Sequence, residues 1–256
     1  KISNTKRLWH GDLAIIRPQK VEDLMTLMML GIILGGRLGY VIFYNPEYYL
    51  NNLIKIVFIW EGGMSFHGGF IGVVIAGLIF SKRNKVSVLS LGDLLAVCTP
   101  PGLFLGRIAN FINQELWGRP TTSSFGVFFS KPEAASCPAD WIYPCARHPS
   151  QLYEAGLEGL LLGAIMLTVV YCFSGFKSPG RMMSIFLIGY GVSRFLIEYF
   201  READTQYISP NNPYGHILQF SDTYGVSMGQ ALSIPMIIFG LILFIKSAKS
   251  NSLRIN

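Results

Sequence analysis

The residues best suited to chemistry in this chain are arginines and carboxylates set at helical spacing within apolar sequence. Arg194, Glu198 and Arg201 follow one another at i, i+4 and i+7, with Glu202 and Asp204 just beyond. Arg107, Asn110 and Gln114 follow at i, i+3 and i+7, and if that stretch stays helical they share one face. A guanidinium fork beside a carboxamide suits a phosphate or a carboxylate. Arg194 lies too deep in its apolar run to be solvated, so it is expected to face a cavity, with Glu198 as its partner. The plainer alternatives are a snorkelling Arg107, a surface pair of Glu115 with Arg119 at i, i+4, and an Arg194–Glu198 pair that only supports helix packing. Snorkelling does not account for Asn110, Asn113 and Gln114 beside Arg107.

His67 stands among four glycines in Gly62-Gly63-Met64-Ser65-Phe66-His67-Gly68-Gly69 and the residues that follow. An imidazole with a near-neutral pKa suits removal of a proton from a thiol or alcohol, and glycines let a headgroup approach closely. The competing reading is close helix packing through Gly68 and Gly72, with His67 bonded to a neighbouring helix. In His148-Pro149-Ser150-Gln151-Leu152-Tyr153-Glu154, a proline at a helix start and a capping Ser150 are expected on geometry alone. Spacing there is a weak signal.

The elements that must position these groups are membrane spans. Of the 256 residues 51% are hydrophobic and only 14% charged, with mean hydropathy +0.41, which excludes disorder and argues against a soluble enzyme. Six apolar runs are predicted to cross: Leu24 to Phe43, Met64 to Phe80, Val88 to Leu105, Leu152 to Phe173, Met182 to Phe200 and Val226 to Ile245. The net charge of +6 comes from short clusters between the runs rather than from a nucleic-acid-binding face. Lys82, Arg83 and Lys85, then Lys177 and Arg181, then Lys246, Lys249 and Arg254 are therefore expected on the cytoplasmic side, as is the basic start carrying Lys1, Lys6, Arg7, Arg17 and Lys20. That orientation puts Arg37, His67, Arg107, Asn110, His148, Gln151, Glu154 and Arg194 at similar depth toward the outer face. One shared outward-facing site explains such agreement better than scattered structural polar groups. The expected architecture is an all-α polytopic membrane bundle forming one domain over residues 1–256, with residues 106–151 as a small extracytoplasmic head.

Cys137 and Cys145 in that head are able to pair in an oxidising compartment, while a metal would want closer His or Cys neighbours. The residues before Leu24 hold no apolar stretch and begin on Lys1, unlike a signal peptide or a translation start, so a truncated or processed form is expected. The four histidines (His10, His67, His148, His216) are too dispersed to assert a metal site, and the common nucleotide and hydrolase motifs are absent. The chemistry is expected to need neither metal nor any other cofactor.

At these residues the sequence resembles the bacterial prolipoprotein diacylglyceryl transferases. The matching strings are GGRLGY (Gly35 to Tyr40), GGMSFHGGFIG (Gly62 to Gly72), GRIANFINQELWGRP (Gly106 to Pro120), RHPSQLYEA (Arg147 to Ala155) and SRFLIEYFREAD (Ser193 to Asp204). The resemblance implies an inner-membrane enzyme that moves the diacylglyceryl group of phosphatidylglycerol onto the lipobox cysteine of a preprolipoprotein, the first step of lipoprotein maturation. A thioether forms and glycerol 1-phosphate leaves. Carried over by motif, His67, Arg107, Asn110, Glu115, Gly118, Arg194, Glu198 and Arg201 match the family's functional positions, with His67, Arg107 and Arg194 as the catalytic set. Arg37, Tyr40, His148, Gln151 and Glu154, which also lie in the matching strings, are expected with the others to bind substrate. The family usually has seven spans with a functional tyrosine in the first, and this chain starts after that helix.

Two rivals make different demands. A transporter or flippase would place its polar groups near the midplane and show internal repeats, whereas here they lie toward one face and no repeat stands out. A lipid-binding scaffold would need the arginines but not His67.

Overall fold

The structure is a computed structural model that describes residues 5–9, 15–135, 137, 145–203, 205–209, 211–221 and 224–252. Lys1, His10, Asp204 and Arg254, named above, lie outside these. The described chain is mostly helical. Its long helices are α1 (Gln19–Phe43), α2 (Phe66–Asn84), α3 (Val88–Ile112), α4 (Ser150–Cys172), α5 (Arg181–Ile197) and α6 (Met228–Ser252). Five of them, all but α5, are long and apolar enough to cross a membrane.

The run from Met182 to Phe200 was expected as a sixth span of the same kind. It forms a shorter helix of 17 residues, a rise of about 26 Å. The helix tightens at its end because Tyr199 and Phe200 donate to carbonyls three residues back, and the Phe200 carbonyl turns out to accept the N–H of Arg119. Met29, Leu34 and Leu38 on α1 and Ile238, Ile242 and Ile245 on α6 remain exposed, as the outer faces of helices in hydrocarbon do.

The chain divides into two compact units, Lys1–Leu94 and Leu95–Asn256. In the first, α1 and α2 pack backbone to backbone. Gly31, Gly35 and Gly39 on α1 meet Gly68, Gly72 and Ala76 on α2, the small-xxx-small spacing that lets helices approach without side chains between them. A Cβ on Gly72 would collide with the Gly31 carbonyl, and one on Gly68 with the Gly35 carbonyl. By contrast, a Cβ on Gly69 would find its nearest neighbour at 3.6 Å, an ordinary contact. Gly72→Leu is therefore expected to destabilise this unit by about 3 kcal/mol or more, and Gly69→Ala to leave it nearly unchanged. Thermal unfolding of the two variants in detergent checks the contrast.

In the second unit α4 is not uniform. It begins as an α-helix (Ser150–Glu154), widens to a π-helix over Ala155–Leu161 and returns to α over Leu162–Cys172. Phe104 of α3 packs directly on Gly159 in the widened turn. A two-stranded antiparallel hairpin, β1 (His216–Gln219) with β2 (Gly225–Ser227), leads into α6. Ser227 and Gln230 then cap α6 reciprocally: the Ser227 hydroxyl accepts from the Gln230 N–H at 3.3 Å and the Gln230 carboxamide from the Ser227 N–H at 3.1 Å. Between α3 and α4 the described residues are loop and turns with one short helix, Pro132–Ala135, and a disulfide joins Cys137 to Cys145, which decides the pairing the sequence left open.

Candidate active site

Glu154 is the centre of the second unit's polar cluster. It sits in the first turns of α4, fully buried, and its two carboxylate oxygens face two different arginines. Oε2 lies 3.1 Å from Nε of Arg107, from α3, and Oε1 accepts a hydrogen bond from Nη1 of Arg194, from α5, at 2.9 Å. Arg194 in turn reaches Glu198 one turn along, Nη2 to Oε2 at 3.1 Å, and Arg201 lies 3.8 Å from the other Glu198 oxygen. Glu158, also fully buried, stands 3.6 Å from Nη2 of Arg107. The six groups form one continuous row of alternating charge, Glu158, Arg107, Glu154, Arg194, Glu198, Arg201.

The row is paired but not saturated. Glu154 Oε2, Glu198 Oε2 and both Glu158 oxygens have no aligned hydrogen bond within the described residues. Arg107 meets its carboxylates as ion pairs at 3.1 and 3.6 Å, so a guanidinium with five donors keeps capacity for an anion. Burial of this kind is expensive unless every charge has a counter-charge, and the alternation supplies one at each step.

A turn after α3 carries Glu115 and Gly118, and Asn110 and Gln151 bond to it. The helix ends at Ile112, and Gln114 and Leu116 both take left-handed backbone conformations, φ 51° and 56°, unusual for residues with side chains. Asn110 donates to Glu115 Oε1 at 2.8 Å, Gln151 donates to the Glu115 carbonyl at 2.7 Å, and the Ser150 hydroxyl donates to the Leu116 carbonyl at 3.1 Å. Ser150 thus ties the turn down instead of capping α4. The shared helical face expected of Arg107, Asn110 and Gln114 does not extend to Gln114, because its left-handed backbone turns it away to accept N–H and O–H bonds from Ser130. Nor, among the described residues, do Glu115 and Arg119 pair: Glu115 takes Asn110, and Arg119 donates to the Arg201 carbonyl at 2.9 Å.

Gly118 passes between two carbonyls, His148 and Phe200, each 2.5 Å from where a Cβ would lie, and its N–H donates to that of His148. It is thereby the point where the turn, the entry to α4 and the end of α5 meet. His148 Nδ1 lies 3.2 Å from the Tyr153 hydroxyl, and burial pushes its imidazole pKa below the ordinary value.

The family model for prolipoprotein diacylglyceryl transferase matches residues 4–246. The chain belongs to this family. Among its relatives, the phosphatidylglycerol--prolipoprotein diacylglyceryl transferase of Ruegeria pomeroyi is 52% identical over 91% of this chain and 79% of its own. The proteins of that name from Cereibacter sphaeroides and Agrobacterium fabrum are 51% and 43% identical, over 98% and 94% of this chain and 85% and 79% of theirs.

In this family member, three of the expected site residues belong to the first unit. His67 is exposed in the first turn of α2, which Ser65 caps by accepting the Gly68 N–H at 3.2 Å; within the described residues its only ring contact is an edge-on one with Phe66. Arg37 is buried and donates to the carbonyls of Lys55, Ile56, Gly62 and Gly63 while stacking on Tyr49. Four hydrogen bonds thus go to the loop between α1 and α2, which it closes. Tyr40 supports the same loop: its ring lies against Gly63, and its hydroxyl accepts from Asn45 at 3.2 Å.

Glu158 was not singled out in the sequence, although an acidic residue one turn beyond Glu154 in an apolar run was a visible signal. Among the described residues, no group of three or more His, Cys, Asp or Glu is placed to hold a metal.

Proposed function

We propose that this chain transfers the diacylglyceryl group of phosphatidylglycerol to the lipobox cysteine thiol of preprolipoproteins, in the outer half of the bacterial cytoplasmic membrane. The observation that carries the reading is the pair of half-buried arginines, Arg107 and Arg194, held by the two oxygens of one fully buried carboxylate. Two guanidinium groups fixed by a shared anchor suit a phosphodiester whose negative charge grows as it leaves. Family membership supplies the substrate class, and the basic clusters at Lys82, Arg83 and Lys85 support the orientation.

The reaction is a displacement at the glycerol carbon that bears the phosphodiester. The cysteine thiol loses its proton to His67, because a thiol of pKa ~8.5 is mostly protonated at neutral pH and the thiolate is the nucleophile. The sulfur lone pair forms the C–S bond while the C–O bond breaks, and that electron pair leaves on the phosphate oxygen. The products are a thioether and glycerol 1-phosphate. Arg107 and Arg194 neutralise the departing phosphate. Glu154 and Glu198 hold those arginines, Arg201 pairs with the other oxygen of Glu198, and Asn110, Glu115, Gly118, Gln151 and His148 fix the turn beside them. Arg37 and Tyr40 order the loop that precedes His67.

A mass-shift assay tests this. Purified chain with phosphatidylglycerol is expected to add one diacylglyceryl mass to a lipobox peptide and nothing to its Cys→Ser counterpart. Equal gain on both peptides, or none on either, contradicts the proposal.

A further inference from the structure

Glu198 has an unusual neighbour. Its carboxylate rests on the first turn of α6, where a Cβ built on Gly229 would lie 2.6 Å from both Cδ and Oε2 and 2.9 Å from Oε1. Such distances are too short for any real Cβ, and the obstructing atoms are the carboxylate itself. From that seat Glu198 reaches Arg194 at 3.1 Å and Arg201 at 3.8 Å. The seat is also electrostatically favourable, since the opening turn of a helix carries partial positive charge and stabilises an anion close to its axis. The reciprocal Ser227–Gln230 cap fixes that turn in place.

We propose that Gly229 is a positioning residue for the transfer: the missing side chain admits the Glu198 carboxylate to the start of α6, and Glu198 in that position sets Arg194 and Arg201. This rests on the reading of Arg194 given above. Gly229 itself touches neither substrate nor reacting atoms; it acts through Glu198. Other glycines in the second unit separate this role from general loss of a glycine, because a Cβ on Gly102 would meet nothing within 4 Å.

The test is a double-variant cycle in the mass-shift assay. Gly229→Ala is expected to reduce kcat tenfold or more, and Gly102→Ala to leave it within twofold of the parent chain. Shortening the carboxylate distinguishes positioning from a structural defect. Glu198→Asp is expected to slow the parent chain, yet to speed the Gly229→Ala chain, because the shorter side chain leaves room for the new methyl group. This reversal of sign is the signature. Gly229→Ala at parental rate overturns the proposal, as does a slow or poorly folded Gly229→Ala chain that Glu198→Asp fails to improve. A parent chain that forms no thioether would instead overturn the functional reading on which this rests.

Discussion

Glu154→Gln is expected to lower kcat by about 10²-fold without raising KM for phosphatidylglycerol. The substitution keeps the shape of the side chain and removes its charge, so Arg107 and Arg194 lose their shared anchor while keeping their own charges. Net positive charge in the cluster rises, which favours binding of an anionic headgroup. Positioning suffers instead, and a misplacement of about 1 Å can cost about 10²-fold in rate. Breaking a buried ion pair by removing one partner also destabilises, typically by about 3 to 5 kcal/mol, and Glu154 serves two partners. Thermal unfolding should therefore fall alongside kcat. Steady-state kinetics on both substrates, with an unfolding curve on the same preparation, checks both effects. A variant with unchanged kcat would show that Glu154 does not set the arginines.

His67→Gln is expected to separate activity from stability in the opposite way. His67 is exposed and makes only the ring contact with Phe66 within the described residues, so removing the imidazole costs little packing. As a general base it should contribute about 10² to 10⁴ in rate. The variant is expected to unfold at the parental temperature, to bind phosphatidylglycerol as before and to turn over at least about 10²-fold more slowly. Parental turnover would exclude His67 from proton transfer. The same substitution separates an enzyme from a lipid-binding scaffold, since a scaffold would lose nothing. Arg107 behaves differently from His67, because truncating it leaves Glu154 and Glu158 buried without their cation. Arg107→Ala is thus a poorer test of mechanism than its location in the site suggests.

Much of this arrangement could be read from residue types. Long, mainly apolar runs located the helices because hydrocarbon demands length and apolarity, and the start of α3 at Val88 and the end of α1 at Phe43 fall where the runs did. Arg194 and Glu198 were legible as a pair because helical spacing fixes near neighbours. Their link to Arg107 through Glu154 was not, since it joins three helices and depends on tertiary packing. The end of α3 was also hidden. Nothing in Ile112-Asn113-Gln114 breaks a helix by composition, and it is the bonds from Ser130 to the Gln114 side chain that hold the turn. Likewise Arg37 read as a cation available to substrate, and only the fold of Lys55 to Gly63 around it reveals carbonyls that use its donors. The π-helix over Ala155–Leu161 has no composition signal at all. The α1 glycines Gly31, Gly35 and Gly39 did carry a signal, the four-residue spacing that matches Gly68 and Gly72 on α2.

In the proposed reaction the arginines receive a departing phosphate while sulfur takes the glyceryl carbon. Its most direct measurement is product stoichiometry: thioether on the lipobox peptide by mass spectrometry and free glycerol phosphate by phosphorus NMR, from one reaction of the purified chain in nanodiscs. One glycerol phosphate released per thioether formed is the predicted result. Glycerol phosphate released without thioether, or a peptide that gains phosphorus along with lipid, would contradict it.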